Sequence, residues 1–194
     1  MNGFFCIGIW VVLLVIIVAV AARNHPAPDQ VIIAWMIFSI CVSIYELAML
    51  LHRNYLAKHG QRLQKTNFWD RRCSILSTFD RNFWLQTWIE YSKVDPRYLN
   101  PNNYVHAIEF MNVLTMFPMA VALFGILTKK IPRKKIKLMI ALISVVQLTS
   151  TMLYYLTWYM TVRNGGKYAW YLLFDLPWII MPTYGLVWGL KKNL

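Results

Sequence analysis

The chain has 194 residues, of which 58% are hydrophobic and only 14% are charged, and its formal net charge is +12. A composition this apolar excludes an ordinary soluble domain, in which about 25% of residues carry a charge. The positive charge does not indicate a nucleic-acid partner, because the lysines and arginines cluster at the ends of apolar segments, where they anchor helices and contact anionic lipid headgroups.

Five apolar segments have the length of about 20 residues that a helix needs to cross a bilayer. They cover residues 4–22, 31–51, 105–127, 137–160 and 169–189. The remaining chain is too short for a second folded unit, so we predict a single membrane domain over residues 1–194. The predicted fold class is an all-α integral membrane protein whose five transmembrane helices enclose a lipophilic cavity.

The first apolar segment ends in Ala19-Val20-Ala21-Ala22, which resembles the cleavage site of a signal peptide. No basic stretch precedes it, and the apolar run is longer than the core of a typical signal peptide, so we expect a retained helix. Cleavage remains the alternative. Because no polar residue lies between Gly8 and Ala22, we expect this helix to face lipid at the periphery.

Residues 73–91 lie between the second and third segments and carry apolar and aromatic groups at Leu76, Phe79, Phe83 and Trp88. Aromatic rings beside basic residues favour the headgroup level of a membrane. We therefore predict an interfacial helical segment that covers the cavity and controls access of a lipophilic substrate. The alternative is an ordered loop or a loop that binds a partner.

Three acidic residues lie inside apolar segments: Glu46 in the second, Glu109 in the third and Asp175 in the fifth. A carboxylate at membrane depth costs at least about 2.5 kcal/mol, so such residues face the protein interior and indicate a functional site. The polar faces of these helices contain no lysine or arginine. Because like charges repel, the three acids cannot all be ionised, and one can act as acid while another acts as base. We predict that all three are catalytic.

Polar and aromatic residues at helical spacing accompany these acids on four predicted helices. Since polar faces turn away from lipid, we expect the four to surround one cavity. The predicted substrate-binding residues are His106, Asn112, Gln147, Thr151, Tyr154, Trp158, Tyr171 and Trp178. For the serines and threonines, the alternative is that they join helices through hydrogen bonds.

The sequence shows no glycine-rich nucleotide loop, cluster of metal ligands or Ser-His-Asp arrangement. Cys6, Cys41 and Cys73 lack metal-binding spacing, and we infer from them neither a disulfide framework nor redox chemistry. Proton transfer is then the available chemistry, and we expect neither a cofactor nor a metal.

Basic residues in short loops determine the orientation of membrane helices. Arg23, residues 129–137 and Lys191-Lys192 lie on one side, which we predict to be cytosolic, and this places the N-terminus and residues 52–104 in the lumen. The final lysine pair occupies the third and fourth positions from the C-terminus and resembles a dilysine retrieval signal. We therefore predict a multi-pass protein of the endoplasmic reticulum membrane.

The sequence from Trp88 to Tyr98, WIEYSKVDPRY, followed by Glu109, resembles the emopamil-binding protein family, or EXPERA superfamily. This family includes sterol Δ8–Δ7 isomerases and the sigma-2 receptor. The resemblance extends over about residues 10–190, through residues 153–157 and 174–178. It implies a five-helix protein of the endoplasmic reticulum with a cavity for a sterol-like molecule. It also implies that Glu46 and Glu109 transfer protons through a carbocation, which Trp178 faces.

The chain also departs from the isomerases at four positions. Val42 stands where they have a histidine and Asp175 where they have an asparagine, and two positions at which they have an acid are Thr151 and Trp158. Asp175 or His106 could replace the missing histidine. These departures argue against sterol Δ8–Δ7 isomerisation itself.

We therefore expect an enzyme that transfers protons to a sterol-, terpenoid- or polyketide-like substrate, with alkene isomerisation, epoxide opening or cyclisation as the reaction. The alternative is a non-enzymatic protein that binds a sterol or an amine, as the sigma-2 receptor does. A transporter is disfavoured because the sequence shows no inverted repeat. The expected partners are a lipophilic small molecule and membrane lipids, and the choice between monomer and homodimer is left open.

Overall fold

The computed structural model describes residues 3–65, 68–69, 72–101, 103–161 and 176–191, and the secondary structure of these residues is helical. Two short 3-10 helices cover Ile75–Phe79 and Pro96–Leu99. The α-helices are α1 (Gly3–Ala22), α2 (Ala27–Leu51), α3 (Arg53–Leu63), α4 (Arg81–Ser92), α5 (Val105–Leu114), α6 (Met116–Thr128), α7 (Arg133–Thr161) and α8 (Pro177–Leu190).

Four stretches of the described residues are long and apolar enough to cross a membrane. They are Phe5–Ala22, Ala27–Leu51, Val105–Thr128 and Arg133–Met160, and they match the first four predicted segments. The third stretch passes through the join between α5 and α6. Most of the predicted fifth segment after residue 175 lies in α8, which has 14 residues. Residues 169–175 lie outside the described residues, so the fifth span stays a prediction.

The first helix is apolar on all sides and lies at the periphery, as predicted. Val12 and Val15 in its middle are 59% and 61% exposed. Apolar side chains exposed along a whole helix are unfavourable in water and compatible with lipid, which explains why α1 can stand outside the bundle. It packs against α2 and, through Cys6, against the described part of residues 68–83.

Helix α8 packs closely against its neighbours, where two glycines lack the side chains that would keep the helices apart. A Cβ atom at Gly185 would lie 2.5 Å from the Trp35 ring and 2.6 Å from Oγ of Ser144. A Cβ atom at Gly189 would lie 2.7 Å from the backbone oxygen of Lys137. Small residues commonly permit such close approach between helices in membranes.

Charged groups hold one end of the bundle together. Arg133 at the start of α7 donates two hydrogen bonds, of 2.7 and 2.8 Å, to the buried carboxylate of Asp29 on α2. The guanidinium carbon of Arg133 also lies 5.2 Å from the centre of the Trp188 ring on α8. Lys137 Nζ donates to the backbone oxygen of Lys191 at 2.8 Å. Three helices are therefore joined at this end.

The described part of residues 53–101 covers the opposite end of the bundle, because α2 begins near Asp29 at the first end and leads into α3 at the other. The predicted helical segment at 73–91 is confirmed as helical, in two pieces. It is divided at Asp80, whose Oδ1 accepts from the backbone nitrogen of Asn82 at 2.9 Å and caps α4. Phe79 is 74% exposed whereas Trp88 is buried. The placement of this segment at a membrane surface stays a prediction.

Candidate functional site

Glu46 and Glu109 lie next to each other in the interior. Glu46 is on α2 and 5% exposed, and Glu109 is on α5 and 7% exposed. Both side chains line one cavity between the helices, and their carboxyl groups are close enough to influence each other. The polar side chains on these faces recur at helical spacing, Ser39 and Ser43 before Glu46. The cost of exposing such groups to lipid accounts for their inward direction.

Among the described residues, five α-helices and the connection before α5 line the cavity. Its lining is Val42, Tyr45, Glu46, Trp88, Tyr91, Tyr98, Ile108, Glu109, Asn112, Ser150, Thr151, Tyr154 and Trp178. Aromatic and aliphatic groups form most of this lining, and the two carboxyl groups in it are those of Glu46 and Glu109. The volume of this cavity is about 130 Å³, below the roughly 300–1,000 Å³ of typical ligand sites, and its lining suits the part of a largely apolar molecule that carries one reactive or polar point.

Glu109 is held by donors on both of its oxygens. The Tyr98 hydroxyl donates to Oε1, and Nδ2 of Asn112 donates to Oε2 at 3.4 Å. Asn112 is in turn oriented by Ser150 on α7, whose hydroxyl donates to Oδ1 of Asn112 at 2.5 Å. Two donors stabilise the carboxylate form of an acid, so these contacts suit Glu109 as a proton acceptor.

Glu46 has a different environment. Its Oε2 atom is buried and has no hydrogen-bond partner among the described residues. Val42, one turn earlier on α2, supplies only an aliphatic surface to the cavity. Nδ1 of His106 and Oε1 of Gln147 are also buried without a partner among the described residues, but only Glu46 of these three lines the cavity, where a bound molecule could supply the partner. Oε2 of Glu46 can therefore hold a proton toward a bound molecule.

Aromatic rings form two walls around the carboxyl pair. On one wall, Trp88 stacks on Tyr45 with ring centroids 4.6 Å apart, and it contacts Tyr98 at 5.2 Å. On the other wall, Trp178 of α8 contacts the ring of Phe38 at 5.9 Å. Because aromatic faces attract positive charge, these walls can stabilise a cation near the acids.

A buried ion pair fixes the connection that carries Tyr98. Arg97 Nη2 lies 2.6 Å from Oδ2 of Asp95, and both residues are buried. The Tyr154 hydroxyl of α7 donates to the same oxygen at 2.8 Å, and the Arg97 guanidinium carbon lies 4.8 Å from the Tyr154 ring centre. Burial by itself would lower the pKa of Arg97, but its hydrogen bonds and attraction to Asp95 prevail and raise that pKa above its ordinary value.

The Tyr98 hydroxyl is also strongly influenced by its surroundings. Burial, followed by the nearby charge of Glu109, raises the pKa of Tyr98 well above its ordinary value. The hydroxyl therefore keeps its proton and remains a donor to Glu109 over the whole range in which proteins normally work.

The structure brings six of the predicted residues into the cavity lining: Glu46, Glu109, Asn112, Thr151, Tyr154 and Trp178. The predicted Asp175 and Tyr171 lie outside the described residues.

Three predicted substrate-binding residues do not line this cavity. His106 is buried at the start of α5, and its Nε2 lies 3.0 Å from the backbone oxygen of Asn100, which precedes the helix. Gln147 donates to Oγ1 of Thr115 at 3.4 Å, so it connects α7 to the join of α5 and α6. Trp158, near the end of α7, is partly buried. The contacts of His106 and Gln147 are those of residues that hold helices in place.

Sequence reasoning gave no individual role to Tyr98, Trp88, Tyr91 or Tyr45. The first three lie in the WIEYSKVDPRY string, so the resemblance did contain a signal for them. Their roles were missed because the string lies outside the apolar segments, and site residues were predicted only on the polar faces of apolar helices. Tyr45 gave no signal, since one tyrosine in an apolar helix usually indicates packing.

The fold and site define a class: a helical protein with four stretches able to span a membrane and a pair of buried glutamates in an aromatic cavity. No protein-family model matches the chain. No solved structure matches it either. Among curated proteins, isomeliandiol synthase from Ailanthus altissima is 32% identical over 108 residues, which cover 53% of this chain and 50% of that enzyme. The chain thus matches about half the length of this relative, and the similarity is distant.

Proposed function

We propose that this protein is a membrane-embedded enzyme that rearranges a lipophilic sterol-, terpenoid- or polyketide-like substrate by proton transfer. The observation that carries the proposal is the contact between Glu46 and Glu109 in an aromatic cavity. The distant relative supports it, because that enzyme is named for the synthesis of a lipophilic diol. The reaction would be an alkene isomerisation, an epoxide opening or a cyclisation, without a cofactor.

The two glutamates take different roles in this proposal. Glu46, with Oε2 free of partners among the described residues, delivers its proton to an alkene carbon or an epoxide oxygen. Glu109, whose two oxygens accept from Tyr98 and Asn112, removes a proton from a carbon beside the resulting cation. The proton then returns from Glu109 to Glu46, because the two carboxyl groups are adjacent. One shared proton thus serves every turnover.

The aromatic walls stabilise the positive charge between these two transfers. Trp178, Tyr154 and Trp88 line the cavity with the carboxyl pair. A cation facing an aromatic ring in a desolvated site gains about 2 kcal/mol or more. Thr151, whose hydroxyl donates to the backbone oxygen of Trp178 at 3.4 Å, positions that ring.

The proposal gives less direct roles to Asp175, His106 and Gln147. Asp175 remains a candidate third acid from its place in the sequence alone. His106 and Gln147 would act by positioning α5 and α7 rather than by touching the substrate. Membership of the EXPERA superfamily, which the resemblance implies, is likewise a hypothesis.

We also propose the endoplasmic reticulum membrane as the location, with a cytosolic C-terminus. The contacts of Arg133 with Asp29 and of Lys137 with Lys191 support one element of this topology, since they gather basic residues at the bundle end opposite residues 53–101. Basic groups favour the cytosolic side, so residues 53–101 would face the lumen. The retrieval role of Lys191-Lys192 is part of the same proposal.

A non-enzymatic binding protein is the second candidate. The same aromatic walls and carboxyl pair would hold the ammonium group of a lipophilic amine without converting it. Binding of such an amine without turnover of any substrate would favour this function over the enzyme.

The test uses microsomes that contain the full chain, incubated with a panel of sterols, triterpenoid epoxides and polyene polyketides and analysed by mass spectrometry. We expect a rearranged product of unchanged mass from one substrate class, and a loss of about 100-fold or more in Glu46→Gln and Glu109→Gln. Glu90→Gln is the matched control, because Glu90 pairs with Lys93 away from the cavity. Full turnover by both cavity variants would overturn the acid and base roles.

A further inference from the structure

A pair of cysteines lies together at the lumenal end proposed above, and neither residue belongs to the acid cavity. The Sγ atom of Cys6, near the start of α1, lies 3.1 Å from the Sγ atom of Cys73, although 67 positions separate them in the chain. Cys6 is fully buried and Cys73 is partly buried. Both are free thiols in this structure, and Cys41 is exposed on α2.

The surroundings of these thiols are an ordered contact between elements. Cys6, Phe68 and Phe83 form one buried cluster, against which Cys73 and Trp84 pack. Around it, Trp10 of α1 contacts the rings of Phe79 at 5.9 Å and Trp84 at 6.4 Å. At the start of α1, a Cβ atom on Gly3 would lie only 2.7 Å from the backbone oxygen of Phe68. Close backbone approach and interlocked rings keep the two sulfur atoms facing each other.

We propose that Cys6 and Cys73 form a disulfide that fastens the first helix to the lumenal segment. The sulfur atoms need to approach by about 1 Å to reach the bonded distance. Disulfides form and persist in the oxidising lumen of the endoplasmic reticulum, whereas cytosolic thiols stay reduced. The inference therefore rests on the proposed topology, and it is independent of the proposed catalytic reaction.

The oxidation follows ordinary thiol–disulfide exchange with the disulfide of a secretory-pathway oxidoreductase. The partly exposed Cys73 attacks that disulfide as its thiolate, which forms a mixed disulfide and releases one thiol of the oxidant. Cys6 then attacks Sγ of Cys73 and releases the second thiol. The two cysteines lose two electrons and two protons in total, and the oxidant gains two electrons as its disulfide becomes a dithiol.

This cross-link would have a specific structural consequence. The first helix is mostly exposed and makes few contacts inside the protein. Trp84 of α4, which packs against the thiol cluster, also contacts the Tyr45 ring of the cavity wall at 5.9 Å. A bond between Cys6 and Cys73 would therefore secure α1 and α4 together beside the cavity.

Counting free thiols in the intact protein tests the inference. Microsomes that contain the full chain are dissolved in acidified detergent and treated with a maleimide polymer, with or without prior reduction. We expect one adduct without reduction, at Cys41, and three after reduction, and we expect the Cys41→Ser variant to change from none to two. Three adducts on the unreduced wild-type chain would overturn the disulfide, as would a peptide map that pairs Cys41 with either partner.

A stability measurement complements the thiol count. We expect a reductant to lower the thermal midpoint of the wild type and of Cys41→Ser by a similar number of degrees. The midpoint of Cys73→Ser should not respond to the reductant, since that variant has no cross-link to lose. An equal response in all three proteins would contradict the proposal. Retained catalysis by reduced protein leaves the proposed function intact, so the two hypotheses can fail separately.

Discussion

The hydroxyl group of Tyr98 donates a hydrogen bond to Oε1 of Glu109. Tyr98 lies before the candidate span Val105–Thr128, whereas Glu109 lies inside it. Both side chains are buried. Glu109 therefore depends for its orientation on a residue that lies before its own helix begins. This relationship makes Tyr98 a positioning residue for the proposed base.

Tyr98→Phe removes the donor and keeps the ring. We expect kcat to fall about 10-fold or more, since a hydrogen bond to a charged group contributes about 1.5–3 kcal/mol and its loss leaves a buried acceptor with one donor fewer. KM should change little, because the packing of the ring against Trp88 is retained. Steady-state kinetics in microsomes measure both values, with Tyr159→Phe as the control on a residue that is 78% exposed. Unchanged kcat would exclude a positioning role.

The raised pKa of Tyr98 predicts a dependence of stability on alkaline pH. In an unfolded chain this hydroxyl titrates near its ordinary value of about 10, whereas burial and the charge of Glu109 raise the pKa in the folded protein. Its contribution to stability is thus fully present below pH 10, and it is lost as the pH rises from there through the folded pKa. Thermal midpoints in detergent should show wild type losing more stability than Tyr98→Phe above about pH 10. Parallel losses in both proteins would contradict this.

The buried pair of Asp95 and Arg97 should be far more important for stability than the partly exposed pair of Glu90 and Lys93. Removing one partner of a buried pair leaves an uncompensated charge and costs about 3–5 kcal/mol, and we expect this for Asp95→Ala. Lys93→Ala, at a pair whose lysine side chain is 32% exposed, should cost at most about 1 kcal/mol. Thermal denaturation compares the two variants. Similar losses of stability would contradict the proposal that the buried pair of Asp95 and Arg97 fixes the connection that carries Tyr98.

Gly185→Ala tests the close packing of α8. The new methyl group would lie 2.5 Å from the Trp35 ring and 2.6 Å from Oγ of Ser144, so we expect a loss of about 1–3 kcal/mol from overpacking. Gly8→Ala is the matched control, because a Cβ atom there meets nothing within 4 Å. This control should be neutral or slightly stabilising, since alanine favours a helix more than glycine does. A neutral Gly185→Ala would show that α8 can move away from α2 and α7.

Those parts of the fold that are determined by how well each side chain tolerates lipid could be predicted from the sequence. An apolar run without a polar face predicted the peripheral position of α1. The high cost of a carboxyl group in lipid predicted that Glu46 and Glu109 face inward. Both predictions follow from the residue and its own helix, and they require no knowledge of which helices are neighbours.

What could not be predicted depends on contacts between distant parts of the chain. The approach of Cys6 to Cys73 has no spacing pattern, and sequence reasoning expected no disulfide framework from it. The predicted Gln147 lies outside the cavity lining for a similar reason. A polar residue on an inward face can reach either a cavity or a neighbouring helix, and here it contacts Thr115. The start of α4 at Asp80 was missed because the aromatic pattern continues through that cap.

The location of Tyr98 outside the apolar spans also bears on when chemistry can occur. Residues 81–99 cover the cavity with Trp88 and Tyr91 and also carry the donor to Glu109. A movement that lifted this stretch to admit a molecule from the bilayer would withdraw the donor at the same time. In the proposed reaction, Glu109 would then have both of its donors only after water has been excluded. This timing would protect a short-lived carbocation from hydration before it forms the product.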